Sequence, residues 1–325
     1  VLNDRISGSL DVFRNDVTNM LGYAPTSLLN MYGQRPINGG HYKRTGVELS
    51  LNTVNVKSKN FSWNSSLALS HYRANWVERM PNYDYQTYQK RDNEPMWAYY
   101  YYNTTGIINI DRSNMPESQR SLPADAQKPG FPIIEDRDGN GVIDEGDIYM
   151  DDLLPKLYYG FGNTFTYRNF DLDIYMYGQL GVEKYNSTHA ANCSAGNLSS
   201  GISAANPTDY AFTVWNSQTN PNGTTPGVAT KDVAMPGNAP VKLFYQKADF
   251  LRIRNITFGY TFDEQQLAAL KGYVQSIRLF VDFQNPFTFS SFSGDDPEIT
   301  IASNLLSGCN YPQMRTYAFG VKVTF

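Results

Sequence analysis

The stretch PKLYYGFGNTFTYRNFDLDIYMYGQLG, residues 155–181, contains two runs in which apolar residues recur at alternate positions. Arg168 and Asn169 alone separate the two runs. A period of two is typical of a β-strand with one face against an apolar medium. So short a connection indicates an antiparallel hairpin. The apolar positions are Leu157, Tyr159, Phe161, Phe165 and Tyr167, followed by Phe170, Leu172, Ile174 and Met176.

The same alternation recurs along the chain and predicts eight long strands. Most of them exceed the length of about five or six residues that is usual in soluble sheets. They suit segments of about 9–11 residues that cross a bilayer at a tilt. The predicted strands comprise residues of about 4–17, 43–56, 60–76, 156–168, 170–183, 248–262, 274–287 and 315–325.

The connections between these strands alternate strictly between short and long. The short ones are KSKN, RN and DEQQLAALKG, and the long ones span about 18–42, 77–155, 184–247 and 288–314. Short periplasmic turns and long extracellular loops are typical of an up-and-down outer-membrane barrel. We therefore expect an all-β fold, an antiparallel transmembrane β-barrel segment with long extracellular loops. A soluble all-β protein is the alternative.

Composition excludes several classes of function. The 325 residues carry a net charge of −4 without a basic block, so nothing indicates nucleic-acid binding. No run approaches about 18 apolar residues, so no transmembrane helix is predicted. The three histidines show no zinc spacing, and the sequence contains no phosphate-binding or nucleophile motif. We therefore predict that the protein is not an enzyme.

The stretch DRDGNGVIDEGD, residues 136–147, has nearly the ligand spacing of an EF-hand calcium loop. Its prolines upstream and the strand downstream leave no room for the two helices of an EF-hand sensor. We expect Ca²⁺, or Mg²⁺, to pin a long loop here, weakly because an aspartate replaces the usual last glutamate. A solvated acidic turn is the alternative. The predicted ligands are Asp136, Asp138, Asn140, the carbonyl of Val142, Asp144 and Asp147.

An aromatic cluster, MWAYYYYNTTG, begins at Met96 in the same long connection. Tyrosine and tryptophan rings stack on sugars or grip peptides while their polar tips form hydrogen bonds. Contact with substrate or partner is therefore expected at Trp97, Tyr99, Tyr100, Tyr101 and Tyr102. Packing of these rings against the barrel rim is the alternative. Cys193 and Cys309 both lie in predicted loops, and whether they form a disulfide stays open.

Several stretches together resemble, in order, the C-terminal part of SusC/RagA-type TonB-dependent transporters. The resemblance extends from about Arg5 to Phe325, and the joint order of the motifs is more specific than any one of them. The motifs are GVELSLNTVNVKSKNFSWNSSLALS, DRDGNGVIDEGD, PKLYYGFGNTFTYRNFDLDIYMYGQLG, DFLRIRNITFGYTF, LFVDFQNPFTFSSFSGDDPEI and RTYAFGVKVTF.

The resemblance implies a 22-stranded barrel in the outer membrane of a Bacteroidota-like bacterium. It also implies an N-terminal plug, contact with TonB, and a SusD-like surface lipoprotein that caps the barrel. The substrates would be glycans or peptides. Residues 1–325 would then be the C-terminal part of the barrel, without the plug or the TonB-contacting segment. A stand-alone eight-stranded barrel with a structural or adhesion role, or a soluble extracellular protein that binds calcium and glycan, remain alternatives.

Overall fold

The computed structural model describes residues 5–26, 33–81, 85–90, 93–186, 212–228, 230, 233–268, 273–294, 296–298 and 313–325. Among them no helix is long and apolar enough to cross a membrane. Short 3₁₀ helices comprise Thr87–Gln89, Glu117–Ser121, Ala124–Gln127, Glu145–Asp147 and Pro236–Asn238. The strands are β1 (Ile6–Pro25), β2 (Gln34–Lys57), β3 (Phe61–Glu78), β4 (Ala98–Tyr101), β5 (Thr104–Ile107), β6 (Pro132–Ile134), β7 (Tyr149–Asp152), β8 (Leu157–Tyr167), β9 (Phe170–Leu180), β10 (Glu183–Tyr185), β11 (Tyr245–Lys247), β12 (Phe250–Phe262), β13 (Ser276–Ser290) and β14 (Thr316–Thr324).

The eight long strands form one antiparallel sheet, in the order β1-β2-β3-β8-β9-β12-β13-β14. Each of these strands therefore lies beside the next long strand along the chain, which confirms the predicted eight-stranded, up-and-down arrangement. The remaining strands form three small two-stranded sheets, β4-β7, β5-β6 and β10-β11, within the long connections.

The first long connection is much shorter than expected, so the predicted loop of about residues 18–42 is wrong. β1 and β2 remain paired up to Pro25 and Gln34. The alternation of apolar residues ends near Val12, but the ladder continues because paired polar side chains replace it. Asp16 accepts hydrogen bonds from Arg14 Nε at 2.8 Å and lies 3.1 Å from His41 Nε2.

The register aligns apolar side chains from all eight strands on one side of the sheet, which we call the apolar face. Leu10 lies beside Leu49, and Leu49 lies beside Leu69. At the other end of the sheet, Phe258, Val281 and Phe319 are neighbours in the same way. These side chains are half-buried or exposed, up to 84% for Phe319. The opposite side, the polar face, carries Asp171, Asp173, Arg278 and Asp282, among other polar residues.

The sheet is open in the described part of the chain. β1 pairs with β2 and β14 with β13, and neither edge strand has a second neighbour among the described residues. The backbone groups along both edges are thus left to pair with further strands. The alternative of an eight-stranded barrel closed on itself is not what this structure shows.

The buried core lies beside the sheet, in the long connections. We call the described residues 85–155 and 212–247 the loop unit. Its apolar cluster packs residues of the first range, which contains the loop of residues 136–147, against residues of the second range, which precedes β11. Its members are Tyr88, Tyr102, Ile108, Leu122, Ala126, Phe131, Ile133, Ile134, Ile143, Ile148, Met235, Ala239 and Val241.

Candidate metal loop and aromatic cluster

The loop of residues 136–147 is folded by its own carboxylates. Asp136 accepts hydrogen bonds from the backbone N–H groups of Gly139 at 2.8 Å and Gly141 at 2.9 Å. Both glycines have positive φ, 71° and 84°, which a residue without a side chain adopts at little cost. The aspartate spacing therefore winds the backbone into a tight, inward-facing turn.

Asp147 closes the loop from a fully buried position. Its Oδ1 accepts a hydrogen bond from the N–H of Arg137 at 2.7 Å, and its Oδ2 accepts one from the N–H of Asp144 at 2.9 Å. A buried carboxylate requires such partners because desolvation of the charge is costly. Short β6 precedes the loop, a 3₁₀ turn forms its last three residues and β7 follows it, so it lacks the two helices of an EF-hand.

The structure brings together three of the six predicted metal ligands. Carboxylate oxygens of Asp136, Asp138 and Asp147 lie within 4.8 Å of one another. Asp144 does not join this group; its Oδ1 accepts a hydrogen bond from the N–H of Gly146 at 2.7 Å. The two remaining predicted ligands are not carboxylates: Asn140 Oδ1 accepts a hydrogen bond from the N–H of Val142.

The loop is anchored to the core of the loop unit through its eighth position. Ile143 is 2% exposed, and its N–H donates to Ser121 Oγ at 2.8 Å. Tyr102 donates its hydroxyl to the carbonyl of Asp144 at 2.9 Å. Burial, together with the charges of Asp147 and Asp144, raises the pKa of Tyr102. The loop is thus a structural part of the core.

The five aromatic residues predicted to contact substrate or partner separate into two groups. Trp97, Tyr99 and Tyr100 keep part of their surface exposed. Tyr101 and Tyr102 have almost none, at 5% and 0%. β4 places alternate side chains on opposite sides, so Tyr102 and Tyr100 face the apolar cluster while Tyr99 and Tyr101 face away from it.

Tyr99 and Tyr101 belong to a stack of tyrosines between two of the small sheets. The ring of Tyr99 lies 4.2 Å from that of Tyr245 and 5.2 Å from that of Tyr101, measured between centroids. Tyr101 donates to Asp151 Oδ2 at 2.5 Å, and Lys242 lies 3.3 Å from the same oxygen. Burial, followed by the hydrogen bond to Asp151, raises the pKa of Tyr101 to about 12.

Similarity to known proteins covers the whole chain. No family model matches. The chain is 27% identical over 348 residues to the TonB-dependent receptor P3 of Formosa agariphila, covering all of this chain and 33% of that protein. It is 24% identical over 337 residues to the TonB-dependent receptor SusC of Bacteroides thetaiotaomicron, covering all of this chain and 30% of SusC. The chain thus spans about a third of the length of these relatives.

The fold is also that of a solved transporter. The structure of the RagAB peptide transporter superposes with a TM-score of 0.72 and 17% identity, over 99% of this chain and 34% of that chain.

The chain resembles the SusC/RagA-type TonB-dependent receptors. It matches their C-terminal part, as its motifs indicate. Such receptors are outer-membrane proteins of Bacteroidota, so the apolar face contacts lipid and the long connections are extracellular loops. The sequence-based predictions of family, fold class and location are confirmed.

The chain contains a buried ion cluster that the sequence did not predict. Arg252 on the polar face is 2% exposed, and its guanidinium donates to Asp296 at 2.7 Å and Glu298 at 2.5 Å. Tyr177 also donates to Glu298, at 2.6 Å, and Lys184 donates to the carbonyl of Pro297 at 2.7 Å. Residues 296–298 of the last long loop are thereby held against the wall. The sequence indicated this cluster only through Arg252, a charged residue at an alternate position of a predicted strand.

The two cysteines, whose pairing the sequence leaves open, lie outside the described residues. Cys193 and Cys309 both fall in parts of the chain that the structure does not describe. The question of a disulfide therefore stays as the sequence left it.

Proposed function

We propose that residues 1–325 form the last eight wall strands of an active importer in the outer membrane. The observation that supports this most directly is the apolar face, to which all eight strands of an open sheet contribute. An open edge in lipid leaves backbone groups unpaired, so the sheet requires further strands of the same receptor. The match to a third of longer TonB-dependent receptors agrees with that requirement.

The rest of the import machinery lies outside residues 1–325 in this proposal. A plug and a TonB-contacting segment would supply gating and energy. A SusD-like lipoprotein would cap the extracellular loops, and the cargo would be glycans or peptides. One similar solved protein is described as a peptide transporter. Trp97, Tyr99 and Tyr100, which keep exposed surface, are the aromatic residues we assign to contact with substrate or lipoprotein.

Uptake by living cells tests the proposal. Cells with and without the full-length receptor gene are given fluorescent pools of oligosaccharides and of peptides. We expect uptake of one pool to depend on the gene, and to stop in a strain that lacks TonB. Gene-dependent uptake that persists without TonB, or equal uptake with and without the gene, would contradict an active importer.

We also propose that residues 136–147 bind Ca²⁺, or Mg²⁺, through Asp136, Asp138 and Asp147. Like charges this close repel one another, and among the described residues no cationic side chain forms an ion pair with any of the three. Arg137 points elsewhere, donating to the carbonyl of Ile148 at 3.2 Å. A hard cation favours such oxygen ligands, with Asn140, the Val142 carbonyl and Asp144 as its outer candidates. Its role would be to fasten the loop unit.

Limited proteolysis of the full-length receptor tests the metal. Calcium is expected to slow cleavage within residues 120–155 relative to chelator, and the double variant Asp136→Asn, Asp138→Asn should lose that protection. Asp125→Asn is the matched control, because Asp125 is an exposed carboxylate of the same loop unit that pairs with Lys128. Equal cleavage of the unsubstituted receptor with calcium and with chelator would rule the proposal out.

A further inference from the structure

A cleft of about 630 Å³ opens at the point where β3 changes its pairing partner. β3 pairs with β8 up to Ser70 and Tyr158. Above this point the ladder stops, and β3 pairs with residues 94–96 instead, beginning with the N–H of Met96 donating to the carbonyl of Ala74 at 2.8 Å. Between Ser70 and Ala74, the backbone of β3 therefore has no ladder partner among the described residues on the side toward β8. The cleft is bounded by β3, the connection between β7 and β8, and the small sheet β10-β11.

The level of the cleft in the membrane follows from the side chains of β3. Leu69, His71 and Arg73 occupy successive positions on the apolar face, since the register with β2 is continuous here. The outward surface thus changes from apolar to cationic within two positions. Such a change marks the boundary between hydrocarbon and head groups, and on this side of the receptor it is the outer leaflet.

The acidic side chains that line the cleft are already engaged. Asp151 and Glu183 both pair with Lys242, at 3.3 and 2.5 Å. Asp249 accepts hydrogen bonds from two backbone N–H groups, with the nearer at 2.6 Å. Asp152 accepts one from the N–H of Leu154 at 2.9 Å, and burial raises the pKa of Asp152.

The cations that line the same cleft have no such partners. Arg73, Lys156 and Lys247 are exposed, and none of them forms an ion pair or a side-chain hydrogen bond with another described residue. A ligand gains most from groups that are not yet hydrogen-bonded within the protein. The groups of the cleft that remain available to a ligand are therefore cationic. The guanidinium of Arg73 can donate two hydrogen bonds to one oxyanion.

We propose that this cleft binds a phosphate group through Arg73, Lys156 and Lys247. The source that its level favours is a phosphorylated lipid of the outer leaflet, whose head group would reach the cations while its chains lie along Leu69 and the rest of the apolar face. A free phosphate presents the same chemistry from the aqueous side. The site is separate from the proposed transport function and from the metal loop.

The experiment uses the full-length receptor in nanodiscs and has two arms. One arm measures retention of a diphosphorylated lipid A, against phosphatidylcholine, by native mass spectrometry. The other measures binding of inorganic phosphate by calorimetry. The test variant is the triple change Arg73→Gln, Lys156→Gln, Lys247→Gln. The matched control, Lys57→Gln, Lys59→Gln, Arg168→Gln, removes the same charge from the short turns at the periplasmic end.

We expect the triple variant to lose lipid A affinity by about fivefold for each cation, on the order of a hundredfold in all. The control should retain lipid A as the unsubstituted receptor does, and Arg73→Lys in place of Arg73→Gln, beside the two lysine changes, should recover about fivefold of the affinity. Loss of phosphate binding alone would support the site with a soluble source. Equal binding by test and control variants in both arms would overturn the proposal.

Discussion

The eight-stranded sheet and the loop unit bury apolar side chains by opposite means. Phe319 in the sheet is 84% exposed on the apolar face, whereas Phe131 in the loop unit is 0% exposed within a cluster of apolar neighbours. The sheet leaves its apolar side chains to lipid, and the loop unit has to shield its own from water. One chain thus follows two packing rules, each set by the solvent around it.

The difference extends to the polar groups. The sheet satisfies its backbone through ladders between neighbouring strands, and its polar side chains lie mostly on the face away from lipid. The loop unit has few regular ladders and satisfies its backbone with side chains instead. Asp147 accepts hydrogen bonds from three backbone N–H groups, and Gln119, fully buried, bonds to three backbone groups of neighbouring segments.

The largest effect is expected from truncation of a ring in the loop unit. Phe131→Ala removes a fully buried ring and leaves a cavity, which typically costs about 3–5 kcal/mol. Phe319→Ala on the apolar face should cost clearly less, because lipid fills the vacated space. Hydrogen exchange resolved by peptide measures the first in residues 96–155, and heat denaturation of the barrel measures the second. An equal loss for the two variants would abolish the distinction between the regions.

The sheet was predictable because its constraint is local. Each strand must alternate apolar and polar side chains to separate lipid from the interior, so segments such as Leu157–Tyr167 carry the pattern in their own sequence. The upper part of the hairpin β1-β2 was missed for the same reason. Beyond Val12 it has left the lipid, and its pairs, such as Asp16 with His41, satisfy no apolar pattern.

The loop unit was not predictable because its contacts are distant in sequence. Tyr102 is fixed by Pro236, whose carbonyl accepts its hydroxyl at 3.1 Å, and by the backbone of Pro240. In the candidate metal loop, the spacing of residues 136–147 pointed to the three carboxylates that the structure gathers. It carried no sign of Ser121, which lies 22 residues earlier and binds the loop backbone.

A somewhat smaller, local effect is expected at the ion cluster. Arg252→Met leaves the nearly buried carboxylate of Asp296 without its partner, and such a loss costs about 3 kcal/mol. Arg278→Met is the matched control, since Arg278 pairs with Asp171 on the same face but both side chains are about a quarter exposed. Faster hydrogen exchange in residues 291–298 for the first variant, with little change for the second, is the expected result. Similar exchange in both would show that burial of the pair is unimportant.

At alkaline pH, the loop unit is expected to lose stability before the sheet does, which is the next smaller effect. The folded pKa of Tyr101, about 12, lies above the ordinary value of 10, so folding favours the neutral phenol. The resulting stability is fully present below pH 10 and is lost as the pH rises through 12. We expect the loop unit to lose protease resistance in that range while the barrel persists, and Tyr101→Phe to reduce the change. A pH-independent loop unit would contradict this assignment.

The smallest effect is expected at a polar residue on the apolar face of the sheet. Asn163 lies on the apolar face, where its Oδ1 accepts hydrogen bonds from Trp63 Nε1 at 2.9 Å and Ser65 Oγ at 2.7 Å. Asn163→Leu leaves both donors unpaired toward lipid and should cost about 1 kcal/mol, since interactions of this kind in membranes are weak. Heat denaturation of the barrel measures the loss.

Adding Trp63→Phe and Ser65→Ala to Asn163→Leu removes the orphaned donors as well, so the triple variant should be nearly as stable as the original. A triple variant less stable than Asn163→Leu would mean that the polar group itself, and not its pairing, is what the sheet requires at this position. Recovery of stability would instead show that lipid tolerates polar side chains on the apolar face only as completed pairs. The loop unit meets the same requirement, that a polar group away from water has hydrogen-bond partners, because its buried Asp147 accepts from three backbone N–H groups.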